Sequence, residues 1–255
     1  MAKQKLLLVD GSSLAFRAFF SILDLNRFKN ANGLHTNALY SFHRMFKSIL
    51  DSEKPTHVLV AWDAGKTTFR TEMYADYKGG RSKTPGEFIE QMPYFNVLLD
   101  AWGIPHYRLN QYEADDIIGT LAKQGEAAGY EVVVLSGDKD LIQLADNNIT
   151  VKITTKGVTE LVEYTPEVIF EKYGLTPEQI IDMKGLMGDS SDNYPGVTKV
   201  GEKTAVKLLQ EFGSVEGIYE HVDEMKKSKL KENLINDKEL AFLSKKLARI
   251  NVESP

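Results

Sequence analysis

Acidic residues recur in five separated segments of the chain, and these residues have the types and spacing that metal chemistry requires. Three of the segments close a short apolar run, one opens a helical pattern, and one follows a glycine. The nine residues are Asp10, Asp63, Glu113, Asp115, Asp116, Asp138, Asp140, Asp189 and Asp192. Clustered carboxylates repel one another unless a cation lies between them, so such a set predicts a metal site.

The donor atoms of this set are all oxygens, and this indicates the kind of metal. Mg²⁺ takes oxygen ligands and keeps several of its waters, whereas zinc sites usually include His or Cys, which these motifs lack. Two such ions about 3.5–4 Å apart can activate a water molecule and stabilise a leaving oxygen. Each motif taken singly also fits a turn, a helix cap or a polar loop. Five motifs at one predicted site favour the metal interpretation.

Alternating strands and helices would position these carboxylates. Short runs rich in Val and Leu predict strands at Lys5–Asp10, 57–63, 131–138 and Ile149–Thr154. Amphipathic patterns predict helices over 36–50, 85–102 and 113–128. This alternation indicates an α/β sheet with covered faces. Sites in such sheets form beyond the carboxyl ends of the strands, where Asp10, Asp63 and Asp138 are expected to lie.

The later part of the chain has a different pattern. After about residue 165 no further strands are predicted, and the pattern indicates short helices separated by frequent helix-breaking residues. Thr176 before Pro177 has the form of an N-cap followed by the first residue of a helix. We therefore expect an α/β core with an arch over residues 1–175 and a helical region over residues 176–255.

Composition narrows the class of protein without identifying a partner. Hydrophobic content of 42% and charged content of 26% are ordinary for a soluble globular protein, and no apolar run is long enough to span a bilayer. Because the chain has no cysteine, disulfides and thiolate metal sites are excluded, which suits the cytosol. The net charge of −5 argues against nucleic acid, yet removing the nine negative charges leaves +4.

Two further segments suit a nucleic acid. The first, residues 69–86, alternates cations with rings, which can track phosphates and stack on bases; a solvated basic loop is the plainer alternative. Its charged and aromatic residues are Arg70, Tyr74, Tyr77, Lys78, Arg81 and Lys83. The second, residues 196–205, is a glycine-bounded turn leading into a helix, whose first amides can bind phosphate; an ordinary helical hairpin is the alternative. Arg17 follows close behind Asp10 and could reach a phosphate.

These motifs, in this order, resemble the 5′ nuclease (flap endonuclease) family, most closely the N-terminal 5′→3′ exonuclease domains of bacterial DNA polymerase I. The matching stretches are 8–13, 61–63, 69–81, 112–116, 136–140, 188–193 and 196–205. Together they cover nearly the whole chain. Within the polymerase, the family's domain runs on past the position of Pro255, so we expect either a stand-alone nuclease or a part of a polymerase fusion.

The resemblance implies a fold and a division of the carboxylates. It implies a PIN-like, mostly parallel sheet flanked by helices, a helical arch at about 67–92 and a helix-three-turn-helix motif in the C-terminal region. All nine acidic positions would bind metal. The more catalytic ion would be served by Asp10, Asp63, Glu113, Asp116, Asp138 and Asp140, and the second by Asp189 and Asp192.

The resemblance also implies roles for individual side chains. Lys78, Arg81, Asp116 and Asp138 would be catalytic, with Lys78 and Arg81 at the scissile phosphate. Contacts with DNA would come from Arg17, Arg70, Tyr77, Lys78, Arg81, Lys83, Gly196, Val197, Lys199, Gly201, Lys203 and Thr204. The expected cofactors are two Mg²⁺ ions, replaceable by Mn²⁺, and a K⁺ ion at the helix-three-turn-helix motif.

The implied activity is metal-dependent hydrolysis of DNA, and of RNA primers, by a 5′→3′ exonuclease and 5′-flap endonuclease. Products would carry a 5′-phosphate and a 3′-hydroxyl, and the work would belong to replication and repair. We expect a monomer in the bacterial cytoplasm, at the nucleoid and without a membrane, acting on 5′ ends, flaps or nicks. Two alternatives stay open: a non-catalytic fork-binding module and a small-molecule phosphohydrolase.

Overall fold

A six-stranded sheet forms the centre of the protein. The computed structural model describes residues 4–155 and 160–255. The strand order is β3-β2-β1-β4-β5-β6, and every neighbouring pair is parallel except the antiparallel pair of β5 and β6. The strands are β1 (Lys5–Asp10), β2 (His57–Ala61), β3 (His106–Tyr107), β4 (Glu131–Ser136), β5 (Ile149–Thr154) and β6 (Leu161–Tyr164). The predicted mostly parallel α/β sheet is confirmed.

Helices cover the sheet and make up the C-terminal region. In the first part they are α1 (Gly11–Phe20), α2 (Asn37–Glu53), α3 (Phe69–Met73), α4 (Gly86–Ile89), α5 (Met92–Ala101) and α6 (Ala114–Ala127). In the second they are α7 (Pro166–Tyr173), α8 (Pro177–Met187), α9 (Glu202–Phe212), α10 (Val215–His221), α11 (Lys229–Asn236) and α12 (Lys238–Ala248). Short 3₁₀ helices at Leu25–Arg27, Lys139–Leu144 and Val222–Glu224 complete the elements. No helix in the described parts is long and apolar enough to cross a membrane.

The central strand β1 is buried on both faces of the sheet. Leu7 and Val9 pack into an aromatic-rich layer with α1, α2 and α5. Leu8 points the other way and packs into the layer that α6 shares with the C-terminal helices. Successive strand residues face opposite sides, so a continuous apolar run is what a doubly covered parallel strand requires. This burial fixes the end of β1, and with it the position of Asp10.

Two of the strands end earlier than the sequence indicated, whereas β1 and β5 have the predicted bounds. Strands β2 and β4 end two residues before Asp63 and Asp138, which therefore lie in the connections beyond the sheet. The edge strands β3 and β6 were not predicted. Strand β3 has only two residues, and neither edge strand has the apolar run that marked the central ones. The four central strands, buried on both sides, supplied the readable signal.

The helix predicted over 85–102 is broken into α4 and α5. Between them the buried side chain of Gln91 accepts hydrogen bonds from the backbone N–H groups of Ala38 and Leu39, at the start of α2. Pro93, in the first turn of α5, has no N–H to continue the α4 ladder. The helices predicted over 36–50 and 113–128 are confirmed as α2 and α6.

The arch segment, residues 67–92, is helical only near its two ends. Helix α3 has five residues and α4 has four, and the chain between them runs in turns. Lys78 and Gly80 adopt positive φ angles of 54° and 80°, which do not continue a right-handed helix. These turns bring the middle of the segment back onto the body of the protein.

The last residues of the chain return to the sheet. The predicted cap at the start of α8 is confirmed, because the Thr176 side chain accepts from the backbone N–H of Gln179. The last turn of α12 and the residues that follow it, 247–254, form a C-terminal strap along α6. Gly119 on α6 permits this approach, since a Cβ there would lie 2.7 Å from Cγ2 of Ile250. The end of the chain is thereby packed against α6, which covers the sheet.

Candidate active site

Five acidic residues, here called the sheet-edge carboxylates, are brought to the carboxyl edge of the sheet: Asp10, Asp63, Glu113, Asp115 and Asp138. Asp10 Oδ2 accepts a hydrogen bond of 2.6 Å from Ser136 Oγ, which in turn accepts one of 2.9 Å from the backbone N–H of Asp138. Asp63 Oδ1 accepts from the backbone N–H of Ala114 at 2.9 Å. The ends of β1, β2 and β4 and the start of α6 thus meet at one place.

The sheet-edge carboxylates lie close enough to perturb one another. Burial, together with the charges of Asp63 and Asp138, raises the pKa of Asp10 to about 7. Burial and the charges of Asp10 and Asp138 also raise the pKa of Asp115. Like charges in a buried place cannot all ionise without a compensating cation. The sheet edge therefore gathers acidic residues that influence one another, and their role as metal ligands stays a prediction.

Asp189 and Asp192, here called the loop carboxylates, lie in the turn after α8 and have different surroundings. Lys184 on α8 contacts Asp189, and the Ser191 backbone N–H donates to Asp189 Oδ1 at 2.7 Å. Burial would raise the pKa of Asp189, but the hydrogen bonds from Lys184 and Ser191 lower it to about 2. Asp189 is thus held as an anion by the protein's own donors.

Asp140 lies between the two sets. Lys184 Nζ is 2.8 Å from its Oδ1 atom. Burial and the charge of Asp138 nevertheless raise the pKa of Asp140 to about 7. One lysine therefore bridges Asp140 and Asp189. Sequence reasoning missed Lys184, because a lysine in the last turn of a helix is expected there for the helix dipole alone.

Two residues of the turns in the arch segment, Lys78 and Arg81, contact these carboxylates directly and are here called the base of the arch segment. Lys78 Nζ lies 2.6 Å from Glu113 Oε1, and Arg81 Nη2 lies 2.5 Å from Asp192 Oδ1. The backbone N–H of Lys78 also donates to the carbonyl oxygen of Asp192 at 2.7 Å. Burial opposes the charge on Lys78, but the nearby carboxylates, Glu113 first, raise its pKa. Both predicted phosphate-binding cations are at the site.

Tyr77 does not have the exposure that its predicted DNA contact requires. Its side chain is only 6% exposed, and its ring stacks on that of Tyr194. Its hydroxyl lies 3.2 Å from Glu113 Oε2 and 3.3 Å from Asp192 Oδ2. The ring is not open to a base in this structure, and its hydroxyl links the two sets of carboxylates. The predicted contact of Tyr77 with DNA stays a prediction.

Arg70 is also withdrawn from solvent. It is 2% exposed, and its guanidinium forms a two-bond pair with Asp116 while also reaching Glu113. In this structure the guanidinium is not open to a phosphate, and its predicted contact with DNA stays a prediction. Asp116 is fully buried and engaged by protein donors, so its predicted roles as metal ligand and catalytic residue are not supported by its surroundings.

The predicted DNA-clamp residues divide into buried and exposed positions. The backbone N–H groups of Gly196 and Val197 donate internally, to Ser244 Oγ and the Leu186 carbonyl oxygen, and the predicted contacts of these two residues with DNA stay predictions. Val197 is also only 2% exposed. The remaining clamp positions cluster at the start of α9, with the lysines exposed: Lys199, Gly201, Lys203 and Thr204.

Arg17 and Lys83 complete the predicted positions. Arg17 donates to the carbonyl oxygens of Gly137 and Thr155, each at 2.9 Å, so it holds the connection that carries Asp138. Lys83 is exposed in the arch segment. Neither arrangement excludes a phosphate contact, and both residues remain predictions as DNA contacts.

Comparison with known protein families supplies the identity. Two family models match: "5'-3' exonuclease, N-terminal resolvase-like domain" over residues 5–174 and "5'-3' exonuclease, C-terminal SAM fold" over residues 175–255. This chain belongs to the 5′-3′ exonuclease family. It is accordingly a nuclease that hydrolyses DNA, as the resemblance predicted.

The curated relatives of this exonuclease are polymerases. The chain is 64% identical to DNA polymerase I of Streptococcus pneumoniae over 256 residues, covering 100% of this chain and 29% of that protein. It is 60% identical to DNA polymerase I of Bacillus subtilis over 253 residues, covering 99% of this chain and 28% of that protein. The exonuclease chain therefore spans less than a third of the length of these relatives.

Solved structures share the exonuclease fold. T5 5′-exonuclease with bound divalent metal ions (zinc) has a TM-score of 0.78 and 27% identity, covering 97% of this chain and 90% of that chain. A T5 flap endonuclease in a pseudo-enzyme–product complex with DNA and metal ions has a TM-score of 0.76 and 27% identity, covering 98% of this chain and 89% of that chain. The catalytic core of Rad2, at 17% identity and a TM-score of 0.62, shares the fold.

The side chains of this exonuclease fit divalent metal ions by chemistry and charge. The acidic set offers oxygen donors alone, which hard cations prefer, and the raised pKa of Asp10 shows that the sheet edge lacks compensating charge. Among residues 4–155 and 160–255, no three acidic side chains already converge as the ligands of an ion. Lys78, Arg81 and Lys184 instead lie among them. Divalent ions would bind where protein cations now supply the positive charge.

Proposed function

We propose that this nuclease removes nucleotides from 5′ ends and cuts 5′ flaps at their junction with duplex DNA, RNA primers included. The products would carry a 5′-phosphate and a 3′-hydroxyl, and the work would belong to replication and repair. The observation that carries the proposal is that the base of the arch segment and the carboxylates meet. Lys78 and Arg81 pair with Glu113 and Asp192, so phosphate-binding and metal-binding groups share one place.

Eight carboxylates are proposed to hold the cofactor. They are the five sheet-edge carboxylates, Asp140 and the two loop carboxylates. We propose two Mg²⁺ ions, with Mn²⁺ as a substitute. When bound, such ions supply an activated water and stabilise the leaving oxygen. The chain holds the ligands in place beforehand: Ser136 fixes Asp10, and the start of α6 fixes Asp63.

The arch segment is proposed to supply positive charge to the scissile phosphate. The raised pKa of Lys78 keeps its ammonium group protonated at neutral pH. Arg81 is half exposed, so its guanidinium can turn from Asp192 towards a substrate. Fixed cations at the phosphate stabilise negative charge that develops during hydrolysis. The catalytic residues in this proposal are Lys78, Arg81 and Asp138. Asp116, which pairs with Arg70, is not one of them.

The C-terminal region is proposed to grip duplex DNA without reading its sequence. Helix α9 begins at Gly201, which has no side chain to cap the first amides, and Lys199 and Lys203 stand exposed beside that start. Free amides and adjacent lysines suit a backbone phosphate. We also propose a K⁺ ion in the turn before α9, in the manner of a helix-three-turn-helix motif.

The wider setting of this chain is part of the proposal. The curated relatives are DNA polymerase I and extend well beyond the matched region, so we propose that a polymerase accompanies this nuclease. We further propose that the protein acts as a monomer in the cytoplasm, at the nucleoid. We also propose a division at residue 175 between the α/β core and the helical DNA-gripping region, which contributes Asp189 and Asp192 to the metal site.

A labelled 5′-flap duplex tests the proposal. With Mg²⁺ or Mn²⁺ we expect cleavage at the junction, and with EDTA none. The product should accept ligation to an adjacent 3′-hydroxyl without prior phosphorylation, since it carries a 5′-phosphate. Failure to cut with either ion would contradict the proposed function. Flap binding in Ca²⁺ without cleavage in Mg²⁺ would indicate a fork-binding module, and hydrolysis of a small phosphodiester alone a small-molecule enzyme.

A further inference from the structure

Arg70 and Asp116 form a pair in which both side chains have all their hydrogen-bonding positions occupied by protein groups. The five N–H groups of Arg70 have five acceptors: Leu247 O, Glu113 Oε2, both carboxylate oxygens of Asp116 and Arg249 O, at 2.8–3.0 Å. Asp116 accepts two of these bonds and two more, from the backbone N–H groups of Glu113 and Asn251. A planar guanidinium and a carboxylate joined by two parallel bonds form a rigid unit.

Because their hydrogen bonds are all made within the protein, neither Arg70 nor Asp116 is available to bind a phosphate or a metal ion. Arg70 has five donors and no more, so nothing is left for a phosphate. The two oxygens of Asp116 already accept four hydrogen bonds, so an ion would have to break the Arg70 pair to reach them. Removing one partner of a buried pair is costly because the other charge is left uncompensated.

The pair nevertheless reaches the site through Glu113. Arg70 Nη1 lies 3.0 Å from Glu113 Oε2, and Asp116 Oδ2 accepts from the Glu113 backbone N–H at 3.0 Å. The other oxygen of Glu113 faces Lys78. One side of the Glu113 carboxylate is therefore held by the pair, while the opposite side is available to the cation of the arch segment.

The pair also fastens the C-terminal strap to the site. Leu247 and Arg249 provide carbonyl oxygens to Arg70, and Asn251 provides its backbone N–H to Asp116. Gln143, three residues beyond Asp140, holds the same strap through the Ala248 carbonyl oxygen and the Ile250 N–H. The buried guanidinium of Arg70 therefore joins three parts of the protein: the arch segment, the C-terminal strap and the start of α6.

We propose that Arg70 and Asp116 are positioning residues. They fix the Glu113 carboxylate and make its placement depend on the C-terminal strap, and they touch neither DNA nor metal. This inference rests on the proposed function, because Glu113 is taken there as a metal ligand. Displacing a catalytic group by about 1 Å can reduce a rate about 100-fold, so the pair is expected to act on kcat.

The first experiment counts bound ions. Mn²⁺ binding, followed by electron paramagnetic resonance, is measured for the wild type, Asp116→Asn and Asp138→Asn. If Asp116 is a positioning residue, Asp116→Asn should bind as many Mn²⁺ ions as the wild type, with an affinity within about threefold of the wild-type value. Asp138→Asn should bind one ion fewer. Loss of an ion in Asp116→Asn as well would overturn the proposal. This readout needs no cleavage, so it decides the inference even if the proposed substrate is wrong.

The second experiment separates positioning from DNA contact. Arg70→Lys keeps the charge but loses the planar fork. We expect kcat on the 5′-flap substrate to fall about 10- to 100-fold, while KM and flap affinity in Ca²⁺ stay within about threefold of the wild type. A loss of affinity with kcat unchanged would show that Arg70 contacts DNA and would refute the proposal. If Arg70→Lys does not fold, the uncharged pair Arg70→Met with Asp116→Leu gives the same readouts.

The strap provides a test that changes no acidic side chain. Asn251→Pro deletes the backbone N–H that Asp116 accepts, and Asn251→Ala keeps it. A measurable fall in kcat for the proline variant alone, at an unchanged number of bound Mn²⁺ ions, is expected. Equal kcat in the two variants would show that the strap does not position Glu113, and would overturn that part of the proposal.

Discussion

The sheet-edge carboxylates and the loop carboxylates carry the same charge in opposite surroundings. At the sheet edge, Asp10 is buried among other carboxylates and its pKa is raised to about 7. In the loop, burial is outweighed by hydrogen bonds from Lys184 and Ser191, and the pKa of Asp189 falls to about 2. The same residue type therefore titrates on either side of its ordinary range within one site.

This difference indicates two ways to prepare a metal site. Around Asp10 and Asp115 the sheet edge is short of positive charge and should gain most from a divalent ion. The loop already has a resident cation, Lys184, that a divalent ion must displace or share. The two sets should therefore respond differently when a carboxylate, a cation or the pH is changed, and each response tests the comparison.

The largest effect is expected from the sheet edge itself. Asp138→Ala removes a carboxylate placed directly after β4, and we expect at least a 100-fold loss of flap cleavage, about the cost of losing one strong electrostatic contact in a transition state. Single-turnover kinetics with saturating Mg²⁺ would measure it. Asp51→Ala, at an exposed position on α2, is the control and should cut normally. Full activity in Asp138→Ala would show that the sheet edge is not the site.

Removal of the arch cations should have two opposite effects. Lys78→Ala and Arg81→Ala should each slow cleavage about 10- to 100-fold, because a cation is lost at the phosphate. In protein without DNA, Lys78→Ala should bind Mn²⁺ more tightly, since Glu113 loses its competing cation. Calorimetric titration measures the affinity, and Lys47→Ala on α2 is the matched control. Unchanged rates in both arch variants would contradict their assigned role.

Lys184→Met should make the loop resemble the sheet edge. The change keeps the length of the side chain but leaves Asp140 and Asp189 without their shared cation. We expect a loss of about 2 kcal/mol in EDTA, or roughly 4–8 °C in Tm. Mg²⁺ should restore more of this stability than it adds to the wild type. Thermal unfolding with equal Tm in EDTA would show that Lys184 does not stabilise the loop.

The last prediction concerns the dependence of stability on pH. The pKa values of Asp10 and Asp140 are raised to about 7, so between about pH 4.5 and 7 the folded protein binds more protons than the unfolded chain. Without divalent ions, stability should therefore fall as pH rises through that window, by about 1.4 kcal/mol per pH unit for each extra proton. Asp189 acts in the opposite direction, but only below about pH 4. Urea unfolding in EDTA at pH 5, 6 and 7 measures the trend, and a rise in stability would contradict it.

Sequence patterns predicted the parts of the site that follow strand ends. Asp10, Asp63 and Asp138 could be placed because central parallel strands have unmistakable apolar runs, and such strands end at one edge. The edge strands β3 and β6 lack that signal. Pro93 gave a reason to break the helix over 85–102, but the buried Gln91 that occupies the break became apparent only from its contacts with α2.

The partners of charged side chains could not be predicted in the same way. Arg70 lies in a basic, aromatic segment that suits nucleic acid, yet it pairs with Asp116, 46 positions away. Lys184 and Asp140 are likewise far apart in sequence. Whether a cation meets solvent or a buried carboxylate depends on long-range packing, about which local composition says nothing.

The bonds from Arg70 to the C-terminal strap have a consequence for the order in which the protein is made. They join residues separated by 177 and 179 positions. The ribosome synthesises the chain from the N-terminus, so Arg70 and α6 are made long before Leu247 and Arg249. Until then the guanidinium lacks two of its acceptors and cannot be buried without cost. The nuclease site is thus completed among the last events of folding, after nearly the whole of this region has been synthesised.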